Sequence, residues 1–152
     1  MKNVYLAPNA TVVGDVTLGE NVSVWYGAVI RGDNGPITVG PGTNIQDNCV
    51  LHDGTAVGAN CTIGHGAIVH GCTVGDGCLI GMGSIVLNGA VLGDGCLVGA
   101  GALVTGKTHA SAGSVLLGSP AKVVKTLTQE EIRAHYESAE HYIHLAKEAF
   151  GK

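Results

Sequence analysis

Aliphatic residues recur every six positions along most of the chain. They fall at Leu18, Val24 and Ile30, at Val39, Ile45, Leu51, Val57, Ile63 and Val69, and at Val74, Ile80, Val86, Leu92, Val98 and Val104. Two slips interrupt the count, three extra residues between Ile30 and Val39 and one fewer between Val69 and Val74. The next residue is often Gly, as at Gly19, Gly40, Gly58, Gly64, Gly75, Gly81, Gly93 and Gly99. Two residues before the aliphatic stands a mostly small side chain, such as Ala28, Thr43, Cys61, Ala67, Ser84, Ala90 or Ala102. A period of six is neither helical nor a simple strand alternation. It predicts a parallel β-helix whose coils have three flat sides of six residues each. The aliphatic points inward, the small residue fits beside it at the corner, and Gly permits the tight turn. Neighbouring coils, about 4.8 Å apart, bury each other's apolar faces.

Past Val104 the period fades. Gly118-Ser119-Pro120-Ala121-Lys122 reads as a loop that ends the solenoid. Thr128 to about Phe150 reads as one helix, opened by a capping box of Thr128 and Glu131. Ile132, Tyr136, Ala139, Ile143, Ala146 and Phe150 form its apolar stripe, which should pack along the β-helix, with Glu140 and Lys147 on the solvated side. The chain thus reads as one unit: residues 1–120 form the β-helix, and residues 121–152 a linker and the C-terminal helix.

Composition narrows the class. Of 152 residues 25 are Gly, and the aromatics are one Trp, four Tyr and one Phe, so small and β-branched side chains must build the core. Only 13 % of residues are charged and the mean hydropathy is +0.31, which argues against disorder. No apolar run approaches the ~18–20 residues of a membrane span. A net charge of −4 without a block of Lys or Arg argues against nucleic acid and acidic membrane surfaces as partners. The N-terminus shows no signal segment, and with five Cys this points to reduced thiols in the cytoplasm. Cys49, Cys61, Cys72, Cys78 and Cys96 all occupy the small-residue slot two places before an aliphatic, so the repeat explains them as buried hydrophobes. Cys61, Cys78 and Cys96 should stack on one corner.

Candidate chemistry appears where the residue after the aliphatic is not Gly: Trp25, Arg31, Gln46, His52, His70, Leu87 and Thr105. Counting corners in threes through the two slips places Arg31, His52 and His70 in one column. His52 and His70 are 18 residues apart, one coil. Asp47 and His65, also 18 apart, stack on the adjacent corner beside Gln46. Two His on adjacent coils can grip a metal, but a useful site needs a third ligand, for which His65 is the candidate. It lies nearly one side of the triangle from His70, ~16 Å at ~3.3 Å per residue. Two His on one ion span roughly 13 Å between α-carbons at most. Convergence therefore needs two chains, and three such contacts close a C3 homotrimer in which the neighbouring subunit contributes His65. His109, His135, His141 and His144 read as incidental surface residues.

Here a resemblance becomes specific. Arg31-Gly32-Asp33, Asn44-Ile45-Gln46-Asp47, Leu51-His52, Ile63-Gly64-His65-Gly66-Ala67-Ile68-Val69-His70-Gly71-Cys72 and the segment from Ser138 to Ala146 resemble the gamma-class carbonic anhydrases and their close relatives. The resemblance covers essentially the whole chain. It implies a left-handed β-helix, a hand that generic crossover chirality would not suggest. It implies Zn²⁺, or alternatively Fe²⁺ or Co²⁺, held by His52, His65 and His70 at a trimer interface. It further implies Arg31 paired with Asp33 or Asp47 to tighten the subunit contact, Gln46 and with it Asn44 close to the metal-bound solvent, and Tyr142 reaching the metal pocket. The expected reaction is reversible hydration of CO₂ to bicarbonate by a metal-bound hydroxide, because three neutral imidazoles leave the +2 charge uncancelled and acidify bound water.

The chain departs from the family's founding type at the proton-transfer glutamates. Asn34 follows the Arg-x-Asp motif, and Asp53-Gly54-Thr55-Ala56-Val57 runs on from His52 with no acidic insertion, so hydration is expected to be slow. Two other readings compete. One is a metal-dependent hydrolase, for example a thioesterase, on the same site. The other is a hexapeptide acyltransferase, in which the Gly118-Ser119-Pro120-Ala121-Lys122 segment also occurs and which needs a His base rather than three converging His.

Overall fold

The computed structural model of the chain describes residues 3–151. Short parallel strands stack coil upon coil. One side stacks Tyr5–Leu6, Ser23–Val24, Asn44–Ile45, Thr62–Ile63, Leu79–Ile80, Leu97–Val98 and Ser114–Gly118. The other two sides form one sheet, because the long strand Val29–Val39 runs across the corner between them. The three extra residues after Ile30 are thus absorbed in extended backbone, paired in parallel with Thr11–Leu18 across a register shift near Gly14. Elsewhere the register follows the period: Ile63 pairs with Ile80 and Ile80 with Val98. The periodic aliphatics line the axis and are almost fully buried from Val24 to Val104.

The structure revises the role of the recurrent glycine. Gly64, directly after Ile63, does not make the turn. A Cβ there would lie 2.8 Å from the Met82 amide nitrogen and the Ile80 carbonyl oxygen of the next coil. It is the close approach of coils that needs Gly at this place. The turn comes two residues later, at Gly66 (φ +70°), Gly83 (φ +67°) or Asn48 (φ +61°), the left-handed region that Gly and Asn tolerate.

All five cysteines are free and buried, in the slots the repeat assigns. The thiols of Cys61, Cys78 and Cys96 donate to the carbonyls of Gly75, Gly93 and Ser111, each in the following coil. Burial pushes the Cys49 thiol up to about 11 and that of Cys72 to about 12.

Two expectations are corrected at the C-terminal end. The stretch from Ala121 is not a linker: Ala121–Thr126 is a strand that pairs antiparallel with Ser114–Gly118 at the end of the solenoid. The helix Gln129–Phe150 begins at the expected capping box. Its buried face, however, includes His135, which is no surface residue. The His135 Nδ1 donates to the Gly77 carbonyl at 2.9 Å, while Tyr136 is 39 % exposed. Helical geometry rather than hydropathy decides this, since His135, Ala139 and Ala146 face the solenoid together. Farther along the helix, Tyr142 and Phe150 pack edge-on against Trp25.

Candidate metal centre

The first column is carried by strands that run longer than their neighbours. Val50–His52 and Ile68–His70 have three residues where most coils have two, and Arg31 lies inside Val29–Val39. The backbone therefore stays pleated through the position that is Gly elsewhere, and parallel pairing sets Arg31 beside His52 and His52 beside His70. The side chains leave one corner in a stack. His52 Nδ1 and His70 Nε2 stand 3.3 Å apart.

The far side of each ring fixes its proton. Asp33 Oδ1 lies 3.0 Å from His52 Nε2, and a carboxylate only accepts, so Nε2 carries the hydrogen. Asn88 Oδ1 lies 2.6 Å from His70 Nδ1, so that nitrogen donates in turn. In two neutral rings so oriented, the remaining ring nitrogens face each other as lone pairs. Such a pair calls for a cation. A tetrahedral ion bound at ~2.0–2.1 Å to both nitrogens would hold them about 3.3–3.4 Å apart, so this donor set fits a divalent metal.

The second column lies on the first-described sheet, just beyond Thr62–Ile63. Asp47 Oδ1 accepts from His65 Nδ1 at 2.9 Å, which leaves Nε2 of this half-exposed ring as a free donor to a metal. Among the described residues, no three His, Cys, Asp or Glu side chains of a single chain gather into a metal-holding group. His65 instead borders a shallow apolar groove of about 320 Å³, shared with Gln46, Leu79, Met82 and Leu97. Met82 is 59 % exposed there.

The remaining candidates fall into place around these columns. Arg31 pairs with Asp33 at 2.7 Å, and Asp47 is taken by His65 instead. The His52 hydrogen bond, and after it Arg31, hold the Asp33 carboxyl below its ordinary range. Gln46 is buried, and its Nε2 donates to Asn44 Oδ1 at 3.0 Å. Asn44 is locked in turn by donating to Thr62 Oγ1 and the Cys61 carbonyl. Gln46 Oε1 is thereby left as the acceptor end. Tyr142 belongs to the Asp47–His65 side of the solenoid: burial first, and the Asp47 charge second, raise its hydroxyl pKa. Asn88 was missed by sequence reasoning. The one-residue slip sets Leu87 opposite His70, and Asn88 reaches the ring from the next place along, so the repeat count gave no signal for it.

Comparison with known proteins places this geometry. Residues 33–135 match the family described as the GMPPB C-terminal domain, and residues 1–32 match the bacterial transferase hexapeptide (six repeats). The chain is 46 % identical to gamma carbonic anhydrase 2, mitochondrial, of Arabidopsis thaliana, covering 96 % of itself and 56 % of that protein. It is 49 % identical to a probable carbonic anhydrase of Methanocaldococcus jannaschii, covering 96 % of itself and 94 % of that protein. It therefore spans little more than half the length of the plant relatives it matches. Among solved structures, a hexapeptide transferase family protein from Anaplasma phagocytophilum superposes with a TM-score of 0.91 at 46 % identity, over 95 % of this chain and 87 % of that one. A putative acetyltransferase of Bacillus cereus follows at 0.87 and 34 %, over 97 % and 92 %. By fold, repeat and identity along nearly its whole length, the chain belongs to the gamma carbonic anhydrases and their relatives among the left-handed hexapeptide-repeat proteins.

Proposed function

We propose that the protein is a metal-dependent carbonic anhydrase, interconverting CO₂ and bicarbonate at sites shared between neighbouring subunits of a homotrimer. The observation that carries this reading is the pair of imidazole nitrogens, His52 Nδ1 and His70 Nε2, 3.3 Å apart. A third His, His65, is oriented by Asp47 on another corner, and a neighbouring copy would bring it to them. The relatives named as carbonic anhydrases support the substrate. Neutral imidazoles suit Zn²⁺, and also Fe²⁺ or Co²⁺. When bound, such an ion supplies the charge that brings ionisation of a bound water close to neutral pH.

The chain's own residues do the rest. His52 and His70 hold the ion, with His65 of a neighbouring subunit as third ligand. Asp33 keeps the hydrogen of His52 on Nε2, and Arg31 holds Asp33. Gln46 offers Oε1 to a hydroxyl hydrogen of water or bicarbonate, because Asn44 occupies its amide nitrogen. Both carboxylates beside the column accept a hydrogen bond on each oxygen, Asp33 from Arg31 and His52, and Asp53 from Asn34 and Asn88.

The test is elemental analysis of anaerobically purified protein together with stopped-flow CO₂ hydration. One metal per subunit and bicarbonate formation above buffer, both lost in His65→Ala, are expected. A metal-free protein, or an iron-loaded one without hydration, overturns the reading. The apolar groove beside His65 favours one alternative, hydrolysis of an acyl thioester at the same site. A thioesterase assay on the same preparation separates the two.

A further inference from the structure

Behind His70 stands a cluster of Asn34, Asp53 and Asn88. We infer that Asn88 is a positioning residue for His70, held to that role by Asp53 and Asn34. The inference rests on the reading of His70 as a metal ligand.

The hydrogen bonds run in one direction. Asn34 Nδ2 donates to Asp53 Oδ1 at 2.6 Å, and Asn88 Nδ2 donates to the other oxygen of Asp53. With its amide nitrogen committed to a carboxylate that only accepts, Asn88 must turn Oδ1 toward His70. That oxygen accepts from His70 Nδ1 at 2.6 Å. The carboxylate at one end thus decides which nitrogen of the imidazole at the other end carries the hydrogen. The ring is left with its lone pair on Nε2, aimed at His52.

The backbone is shaped for this contact. Gly71, next to His70, has φ +62°, and a Cβ there would collide with the Asn88 amide. The empty space beside the ligand is the seat of the Asn88 side chain. Asp53 sits at the corner with φ +65°, which brings its carboxylate between the two amides. Asp53 is therefore an anchor that holds both amides.

Partners that fix a ligand imidazole typically account for 10–100-fold in metal affinity. Three readouts test the role: Co²⁺ affinity by chelator competition, the visible absorption of bound Co²⁺, and long-range ¹H–¹⁵N NMR of the His70 ring in metal-free protein. The wild type should show His70 protonated on Nδ1. Asn88→Ala should lose that preference and bind Co²⁺ about 10–100-fold more weakly with an altered spectrum. N88D alone sets two carboxylates against each other and should lose affinity as well. The D53N/N88D double variant exchanges donor and acceptor. The carboxylate now at position 88 accepts from His70 and from the amide now at position 53, whose oxygen still accepts from Asn34. It should recover affinity to within a few-fold and restore the NMR signature.

Wild-type affinity, spectrum and tautomer in Asn88→Ala overturn the inference. So does a folded double variant that recovers nothing over N88D, a comparison that decides the matter should Asn88→Ala not fold. His70→Ala separates the two layers. If it loses Co²⁺ while Asn88→Ala does not, only the positioning role fails; if it binds Co²⁺ like the wild type, the ligand reading fails and this inference with it.

Discussion

Each of the three histidines proposed as ligands has one ring nitrogen occupied by an oxygen acceptor, the kind of contact that orients a metal-binding imidazole. Asp33, Asp47 and Asn88 play this part for His52, His65 and His70. The same logic governs Gln46, whose useful oxygen is defined by the bond its nitrogen makes to Asn44. Asn44→Ala removes that acceptor and leaves a buried amide nitrogen unpaired, a cost of about 1–3 kcal/mol. Urea denaturation should show that loss, and CO₂ hydration should fall while metal content holds, since no ligand is touched. The columns were legible in the sequence because a period of 18 dictates which residues are neighbours, so the pairing of His52 with His70 and of Asp47 with His65 follows from counting. Asn88 does not follow from the count, because the one-residue slip between Val69 and Val74 sets Leu87 opposite His70, and as an amide it carries no chemical signal of its own. The pairing of Arg31 was left open between Asp33 and Asp47 because the resemblance implies only an Arg–Asp pair at the subunit contact. Within the chain Asp33, two places along the same strand, takes Arg31, while Asp47 on the adjacent corner accepts from His65.

At the scale of the element, six residues make one side, and each place within the six answers a different constraint. The aliphatic fills the axis, the small residue two places before it lines the corner, the Gly after it clears the next coil, and Gly or Asn two places later turns the chain. The sequence showed the places but not the reason for each. Only spatial contact separates a Gly needed for its φ from one needed for its missing Cβ. His135 was unreadable for a related reason. A polar residue on the apolar side of a helix reads as an error in the stripe until the Gly77 carbonyl that it bonds is known. The helix start was readable, because a capping box is local. Thr128→Ala should cost about 1 kcal/mol in chemical denaturation, with the fold retained. The buried thiols give the coils a pH dependence of known sign. Near pH 9 the thiols of an unfolded chain ionise, whereas burial holds Cys49 at about 11 and Cys72 at about 12. Above pH 9 the unfolded chain releases protons that the folded one keeps, so stability is full below that pH and falls as it rises. Each thiol contributes a slope of about 1.4 kcal/mol per pH unit until its folded pKa is reached. Cys72→Ala should lower the melting temperature at neutral pH, through the lost packing, yet make its decline between pH 9 and 11 less steep than in the wild type. Parallel curves would mean that Cys72 ionises as easily folded as unfolded.

At the scale of the molecule, the two halves of the candidate centre lie on different corners of one triangular rod, and the proposed metal site would need two copies to meet through them. In the proposed assembly a corner bearing His52 and His70 would meet a corner bearing His65, a head-to-tail contact that closes on itself in a ring of three. The proposed trimer therefore makes a prediction that a site built within one chain does not. Consider two variants, His65→Ala and His52→Ala, each inactive alone because every interface in its own trimer lacks one ligand. Mix them in equal amounts in denaturant and refold. A working interface needs an intact His65 from one subunit and intact His52 and His70 from the next. In a directed ring containing both variants, whichever is in the majority, a single interface of the three meets that condition. Random assembly leaves about one quarter of trimers unmixed, so the remaining three quarters, each with one site in three, restore about one quarter of wild-type sites. Metal content and CO₂ hydration should both return to about that level in the mixture, from near zero in either variant refolded alone. Mixing His52→Ala with His70→Ala instead should restore nothing, because those two ligands come from the same corner of the same subunit. Recovery in the second mixture, or none in the first when sedimentation shows mixed trimers, would place the three histidines otherwise than between neighbouring copies.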